Sequence, residues 1–174
     1  MSDFRRRMMM QKPEPYVNMK EKYMDTGIPV TGNIKFVMKA RFHWLGNYNS
    51  ILGRYADNYW GMGVYGDIED KYGNTKINIP KADFKVGDVI ILTKDRNKTY
   101  IDGILKAEHQ YKQFERDYSL MICNERSGVN ADIFMFSVWQ DDALIDEYYP
   151  FVIDGKEYFK GKHTGKLLEV KIKE

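Results

Sequence analysis

The stretch NIKFVMKARFH, from Asn33 to His43, decides the fold. Ile34, Phe36, Met38, Ala40 and Phe42 fall on one side of an extended chain. Lys35, Lys39, Arg41 and His43 fall on the other, with Val37 the one apolar residue on the polar side. Successive side chains of a strand point to opposite faces, so alternation of this length predicts a half-buried β-strand. Gly27, Pro29 and Gly32 punctuate the approach to it.

Working outward, the same kind of segment recurs. NSILGRY (49–55) and NYWGMGVYG (58–66) are short, aromatic and glycine-containing, and TKINIP (75–80) alternates until Pro80. DVIILTKD (88–95) and KTYIDGILKAE (98–108) flank Arg96 and Asn97, the pattern of a hairpin with a tight polar turn, and Asp102-Gly103 marks a second turn. DYSLMICN (117–124) and ADIFMFSVWQ (131–140) are apolar on both faces, as in strands covered on both sides. Asp141-Asp142 turns into ALIDEYYPFV, Asp154-Gly155 turns VID back into KEYF, and KLLEVKIKE alternates to the end. The best helical spacing is in AEHQYKQFERDY (107–118), where Tyr111, Phe114 and Tyr118 permit one short helix or turn. Many short strands with regular turns predict an all-β, antiparallel two-sheet sandwich or jelly roll.

The chain has 174 residues and a mass of 20.6 kDa, the size of one domain. Its thirteen Tyr, nine Phe and three Trp favour strands. A single cysteine, Cys123, excludes an internal disulfide framework and a cysteine-based zinc cluster. No apolar run is long enough for a membrane helix.

Charge divides the chain more sharply than its total of +2 implies. Residues 1–22 carry Arg5, Arg6, Arg7, Lys12, Lys20 and Lys22 against Asp3, Glu14 and Glu21, and the remainder holds 21 basic and 22 acidic groups. The surplus positive charge therefore sits at the N-terminus, and the body has no basic bias to steer nucleic acid. Met8, Met9 and Met10 are too short an apolar run for a signal peptide. Pro13 and Pro15 keep the segment extended. We read residues 1–20 as an extended arm and 21–174 as the body. The arm is a frayed tail, a docking segment or a site of non-specific nucleic-acid contact. In the second case Arg5, Arg6 and Arg7 pair with a carboxylate-rich partner, and Met8, Met9 and Met10 fill a groove.

Four segments in order carry a resemblance: KYMDTGIPVTGNIKFVMKA, NSILGRYADNYWGMGVYG, DRNKTYIDGILKAEHQYKQF and SLMICNERSGVNADIFMFSVWQDDALIDEYYPF. Together they resemble a concanavalin A-like (LamG-like) jelly roll of the lectin/glucanase superfamily, of the type found in gut Bacteroidales and their tailed, crAss-like phages. The opening FRRRMMM resembles N-terminal arms of such phage proteins. After Phe151 the family's usual ending is replaced by DGKEYFKGKHTGKLLEV. The resemblance implies a jelly roll used as a capsid decoration, head fibre or tail appendage in the virion. It implies other virion proteins as partners, and exposed strand edges add an expected homo-oligomer. The alternative is a carbohydrate-binding module for a bacterial or host glycan, at a cell surface or secreted.

The glucanase branch uses carboxylates in an E-x-D-x(x)-E strand motif. Glu115 and Asp117 have the first spacing, but Ser119 and Leu120 stand where the second Glu belongs, so we expect no hydrolase. GMGVYG (61–66) matches a dinucleotide-binding spacing without a following helix, and is read as close backbone approach on a curved strand. His43, His109 and His163 lie too far apart for a metal motif and are read as surface or strand-face residues. Asp67, Glu69 and Asp70, near Asn74, are read as a solvated loop in preference to a calcium site. Cys123 is read as a buried small hydrophobe. No cofactor and no metal are called for. The binding candidates are the aromatics between residues 44 and 65: Trp44, Tyr48, Tyr55, Tyr59, Trp60 and Tyr65, with Asp57 and Asn58 to orient hydroxyls. Their rings either stack on sugar C–H faces or fill the space between two sheets.

Overall fold

The computed structural model describes residues 14–45, 49–53, 60–123 and 129–173. These form β1 (Val17–Asn18), β2 (Lys22–Thr31), β3 (Ile34–Trp44), β4 (Asn49–Leu52), β5 (Trp60–Tyr65), β6 (Asp67–Tyr72), β7 (Thr75–Ile79) and β8 (Val89–Asp95). There follow β9 (Lys98–Ile101), β10 (Ile104–Glu108), β11 (Glu115–Ile122), β12 (Asn130–Gln140), β13 (Ala143–Ile153), β14 (Lys156–Gly161), β15 (Leu167–Glu169) and β16 (Lys171–Ile172). A single 3₁₀ turn, Lys81–Phe84, interrupts the strands among the described residues, and no helix there is long and apolar enough to cross a membrane.

Two antiparallel sheets result. The first runs β10-β9-β8-β3-β12-β13-β14-β15, with β1 also on β12, and the second runs β16-β2-β11-β4-β5-β6-β7. β3 lies between β8 and β12, and its alternating residues Ile34, Phe36, Met38, Ala40 and Phe42 are all buried. Phe136 of β12 packs at centroid distances of 5.7 Å from Phe36, 4.8 Å from Tyr148 and 5.2 Å from Phe159. Both sheets feed one hydrophobic core.

The turns hold the register. Asp95 pairs with Lys98, Ile101 with Ile104, Gln140 with Ala143 and Ile153 with Lys156, so each hairpin closes over two residues. At Asp102-Gly103, Asp141-Asp142 and Asp154-Gly155 both turn residues have positive φ, the geometry whose twist matches paired strands. Space requires glycine at Gly53 and Gly61. A Cβ on Gly53 would lie 2.5 Å from the Trp60 carbonyl oxygen, and one on Gly61 2.5 Å from that of Leu52, which is the close approach expected of the GMGVYG strand.

Four sequence expectations are corrected. Residues 107–118 contain no helix: they end β10, cross the core's rim irregularly from His109 to Phe114, and begin β11. β2 runs through Gly27 and Pro29, because breaks in its register with β11 absorb the proline. Asp67, Glu69 and Asp70 lie in strand β6 and not in a solvated loop. The body also begins before residue 21, since Val17 pairs with Ile133 of β12 and Val17 and Met19 are core residues. KLLEVKIKE divides at Val170, with β15 joining the first sheet and β16 the second. The docking residues Arg5 to Met10 lie outside the described residues.

Asp146 of β13 closes the loop after β14. Its buried carboxylate accepts backbone N–H groups of Glu147 (2.8 Å), His163 (2.9 Å) and Thr164 (3.1 Å), and also the Thr164 hydroxyl. A Cβ on Gly161 would lie 2.1 Å from Asp146 Oδ2, so glycine is required there too. Burial pushes the Asp146 carboxyl up, but the Thr164 hydroxyl and three N–H donors outweigh it and bring it to about 2. The folded value lies below the unfolded one. The stabilisation is therefore complete above the ordinary carboxylate range and is lost as pH falls towards about 2. Asp146→Asn should cost about 1–3 kcal/mol at neutral pH and flatten the fall in melting temperature between about pH 4 and pH 2. An acid limb unchanged from wild type, followed by circular dichroism, would assign it to other groups.

Candidate functional site

Strand parity places one charged cluster inside the molecule. In β6, Asp70 shares its face with Ile68 and Tyr72, so it points into the core and is 0% exposed. In β8, Lys94 shares its face with Ile90 and Leu92 and is likewise buried. The two strands belong to different sheets, and Lys94 Nζ donates to Asp70 Oδ1 at 2.7 Å. The Thr99 hydroxyl donates to the same oxygen at 3.0 Å, and His109 Nε2 lies 3.0 Å from Oδ2. The other His109 ring nitrogen is 2.6 Å from Thr75 Oγ1. His109 is thus a buried bridging residue just past the end of β10, which corrects its reading as a surface or strand-face residue.

Burial pushes the Asp70 carboxyl up. The Lys94 charge and the His109 and Lys94 hydrogen bonds together outweigh burial and hold it below its usual range. Lys94 completes its surroundings with the face of Trp60, 5.4 Å from ring centroid to Nζ. Every Asp70 oxygen is occupied and no side of the cluster reaches solvent, so it acts as a tie between the sheets and not as reactive chemistry.

The predicted sugar-stacking residues separate into three groups. Trp60 is fully buried and takes the core-packing role, so it offers no face to a ligand. Trp44 ends β3 at 57% exposure, opposite Asn130 on β12. Beside it, His43 Nε2 lies 2.8 Å from Asp132 Oδ2, and Asn18 Nδ2 donates to Asp132 Oδ1 at 2.8 Å. An indole with neighbouring amide and carboxylate groups is the combination that holds a sugar ring. Tyr48, Tyr55, Asp57, Asn58 and Tyr59 lie outside the described residues.

Tyr65, the remaining member, lies on the outer face of the second sheet at 37% exposure, with Lys71 Nζ 5.1 Å and Lys76 Nζ 5.7 Å from its ring centroid. Glu69 of β6 holds Lys76 at 3.0 Å. Sequence reasoning missed this lysine pairing. Its signal was the parity of Glu69 and Lys71, two places apart in a strand.

Glu115 and Asp117 are solvent-exposed on β11. Among the described residues, no group of three or more His, Cys, Asp or Glu side chains is placed to hold a metal. Cys123 is buried and free. Burial pushes its thiol up to about 12 against a weaker downward pull from Lys173, so it stays protonated and unreactive. No family model, no curated protein and no solved structure matches this chain.

Removing one half of the Lys94–Asp70 pair leaves the other as an uncompensated buried charge. Asp70→Ala should therefore cost about 3–5 kcal/mol in urea unfolding. Asp70→Asn combined with Lys94→Met keeps an acceptor for Thr99 and His109 and removes both charges, and should recover most of that loss. Equal losses in the single and double variants would deny the pair its bridging role.

Proposed function

We propose that the chain is a non-enzymatic structural component of a tailed-phage particle. In this reading it docks to a virion partner through its N-terminal segment and presents a concanavalin A-like jelly roll, as a capsid decoration, head fibre or tail appendage. The ordered resemblance and the charge split support it. Above all it rests on the contrast between a nearly neutral body and a leading segment that carries the surplus positive charge.

The body anchors the chain from residue 14 onward. Where the described chain begins, Glu14 pairs with Lys39 on the outer face of the first sheet, and Tyr16 packs 5.7 Å from Phe134. Val17 and Met19 then anchor the chain in the core. Arginine forks suit carboxylates on a partner, and methionines adapt to an apolar groove. Contacts between copies would use the strands that end each sheet's order, β15 in the first and β16 in the second among them.

Deleting residues 1–13 should leave the melting temperature within a few degrees of the full chain and abolish incorporation into particles. Deleting residues 1–19 should unfold the body, because it removes Val17 and Met19. Normal occupancy of the shorter truncation in purified particles would refute docking by the N-terminal segment.

A second reading, a carbohydrate-binding module, is favoured by the exposed Trp44 ring. Trp44→Ala should weaken binding on a glycan array by about tenfold or more without changing stability, as expected for loss of one stacked ring. Full retention of binding by that variant would move the sugar elsewhere.

A further inference from the structure

Among the described residues, Lys94 and Asp70 alone bring a lysine amine and a carboxyl group into contact with both side chains at 0% exposure. An ammonium beside a carboxylate holds all the atoms of an amide and one water. We infer that Asp70 and Lys94 condense into an amide between Asp70 Cγ and Lys94 Nζ, an isopeptide bond that links the two sheets covalently. Closed to solvent, the cluster gives no substrate a way in, and the one reaction open to it is between its own members. The ion pair is the form in which the sheets meet, and the amide is what that pair becomes in place. The inference is independent of the proposed function.

The fold supplies the proximity. Nζ stands 2.7 Å from Oδ1, and Oδ1 is bonded to the carbon that the amine attacks. Strands of different sheets hold the two groups together, so the encounter is already made on folding. The Thr99 hydroxyl donates to Oδ1 at 3.0 Å, and His109 Nε2 lies 3.0 Å from Oδ2. The His109 ring is fixed from its other side by Thr75 Oγ1 at 2.6 Å and by the Tyr72 ring at a centroid distance of 6.0 Å. The buried face of Trp60, 5.4 Å from Nζ, shields the amine.

The step balances within the cluster. One proton passes from the Lys94 ammonium to Oδ1 along their hydrogen bond, leaving a neutral amine and a neutral carboxyl. The amine lone pair forms the Nζ–Cγ bond, and the carbonyl π pair moves to Oδ2, where the His109 N–H meets the developing charge. A second Nζ proton passes to Oδ1, the Cγ–Oδ1 bond breaks, and that oxygen leaves as water while Oδ2 regains its double bond. One hydrogen stays on the amide nitrogen, and no oxidant, reductant or activated group is needed. In water, the solvation of two ions opposes this condensation. Here both ions are already stripped of water, and their attraction only roughly repays that cost. Burial pushes the Lys94 ammonium down, against the pull of the Asp70 charge. It pushes the Asp70 carboxyl up, and the Lys94 charge leads the groups that hold it down. Once the proton has crossed, that hold is gone and burial favours the neutral pair.

The test is mass spectrometry of the full, folded chain. We expect it to weigh less than its sequence by one water. Its tryptic digest should hold a branched peptide joining residues 55–71 to residues 86–96 through Asp70 and Lys94. Lys94→Met should keep its full mass. So should Asp70→Asn combined with Lys94→Met, which buries no charge and serves where the single variant fails to fold. His109→Phe keeps a ring and removes the donor to Oδ2. Followed in freshly synthesised chain, its link should form about a hundredfold more slowly than that of wild type, the effect of losing one oxyanion donor, with an unchanged circular dichroism spectrum. A folded wild type at full sequence mass overturns the inference. So does the same loss of water in the lysine variants, or a branch through any other pair of residues. Linking in His109→Phe at the wild-type rate would overturn the part given to His109.

Discussion

The buried ion pair between Lys94 and Asp70 sets the terms for this molecule. Each residue stands at an inward position of its strand, in a different sheet, so neither charge can leave the core without turning its strand over. A charge buried alone is expelled or neutralised, so the two sheets must meet in the one register that brings these groups within 2.7 Å. Burying the pair costs solvation that its attraction only roughly repays, so its value lies more in specificity than in stability. An apolar core tolerates sliding by small steps; a hydrogen-bonded carboxylate with three donors does not.

The same constraint explains the less regular parts. His109 leaves β10 and turns inward to reach Asp70, which prevents residues 109–114 from continuing either strand or helix. The segment then crosses Gly32, where a Cβ would lie 2.5 Å from the Lys112 carbonyl oxygen, and Tyr72 donates its hydroxyl to that carbonyl at 2.7 Å. A connection that a helical pattern seemed to claim is therefore held by polar contacts to the rim of the core.

Much of this was legible in the residues. The strand at Asn33–His43 and the hairpins were readable because alternation and two-residue turns are local signals. The expected all-β fold of antiparallel strands in two sheets is what the structure shows. Strand β2 was hidden because Gly27 and Pro29 are strand breakers unless register breaks absorb them. Asp70 was hidden because DIED reads as solvated charge. Its parity with Ile68 and Tyr72, and that of Lys94 with Ile90 and Leu92, was the available clue. The role of Trp60 depended on which sheet closes over it, which no local pattern contains.

The distribution of carboxylates and ammoniums directs function to the surface. Inside, Asp70 and Asp146 are saturated by donors and held in their ionised form, so neither has a free lone pair or a proton to exchange near neutral pH. Outside, Lys35 and Asp95, and Lys98 and Glu108, pair across neighbouring strands, Lys162 just past β14 pairs with Glu147, and these charges cancel one another. Such exposed pairs contribute little to stability, but they leave a face without long-range pull on a charged partner. Against that neutral background, the Trp44 indole, left in water, stands out as surface that the fold itself does not use. A surface whose charges cancel in pairs exerts little pull at a distance, so the contacts it makes are governed by short-range packing and hydrogen bonding.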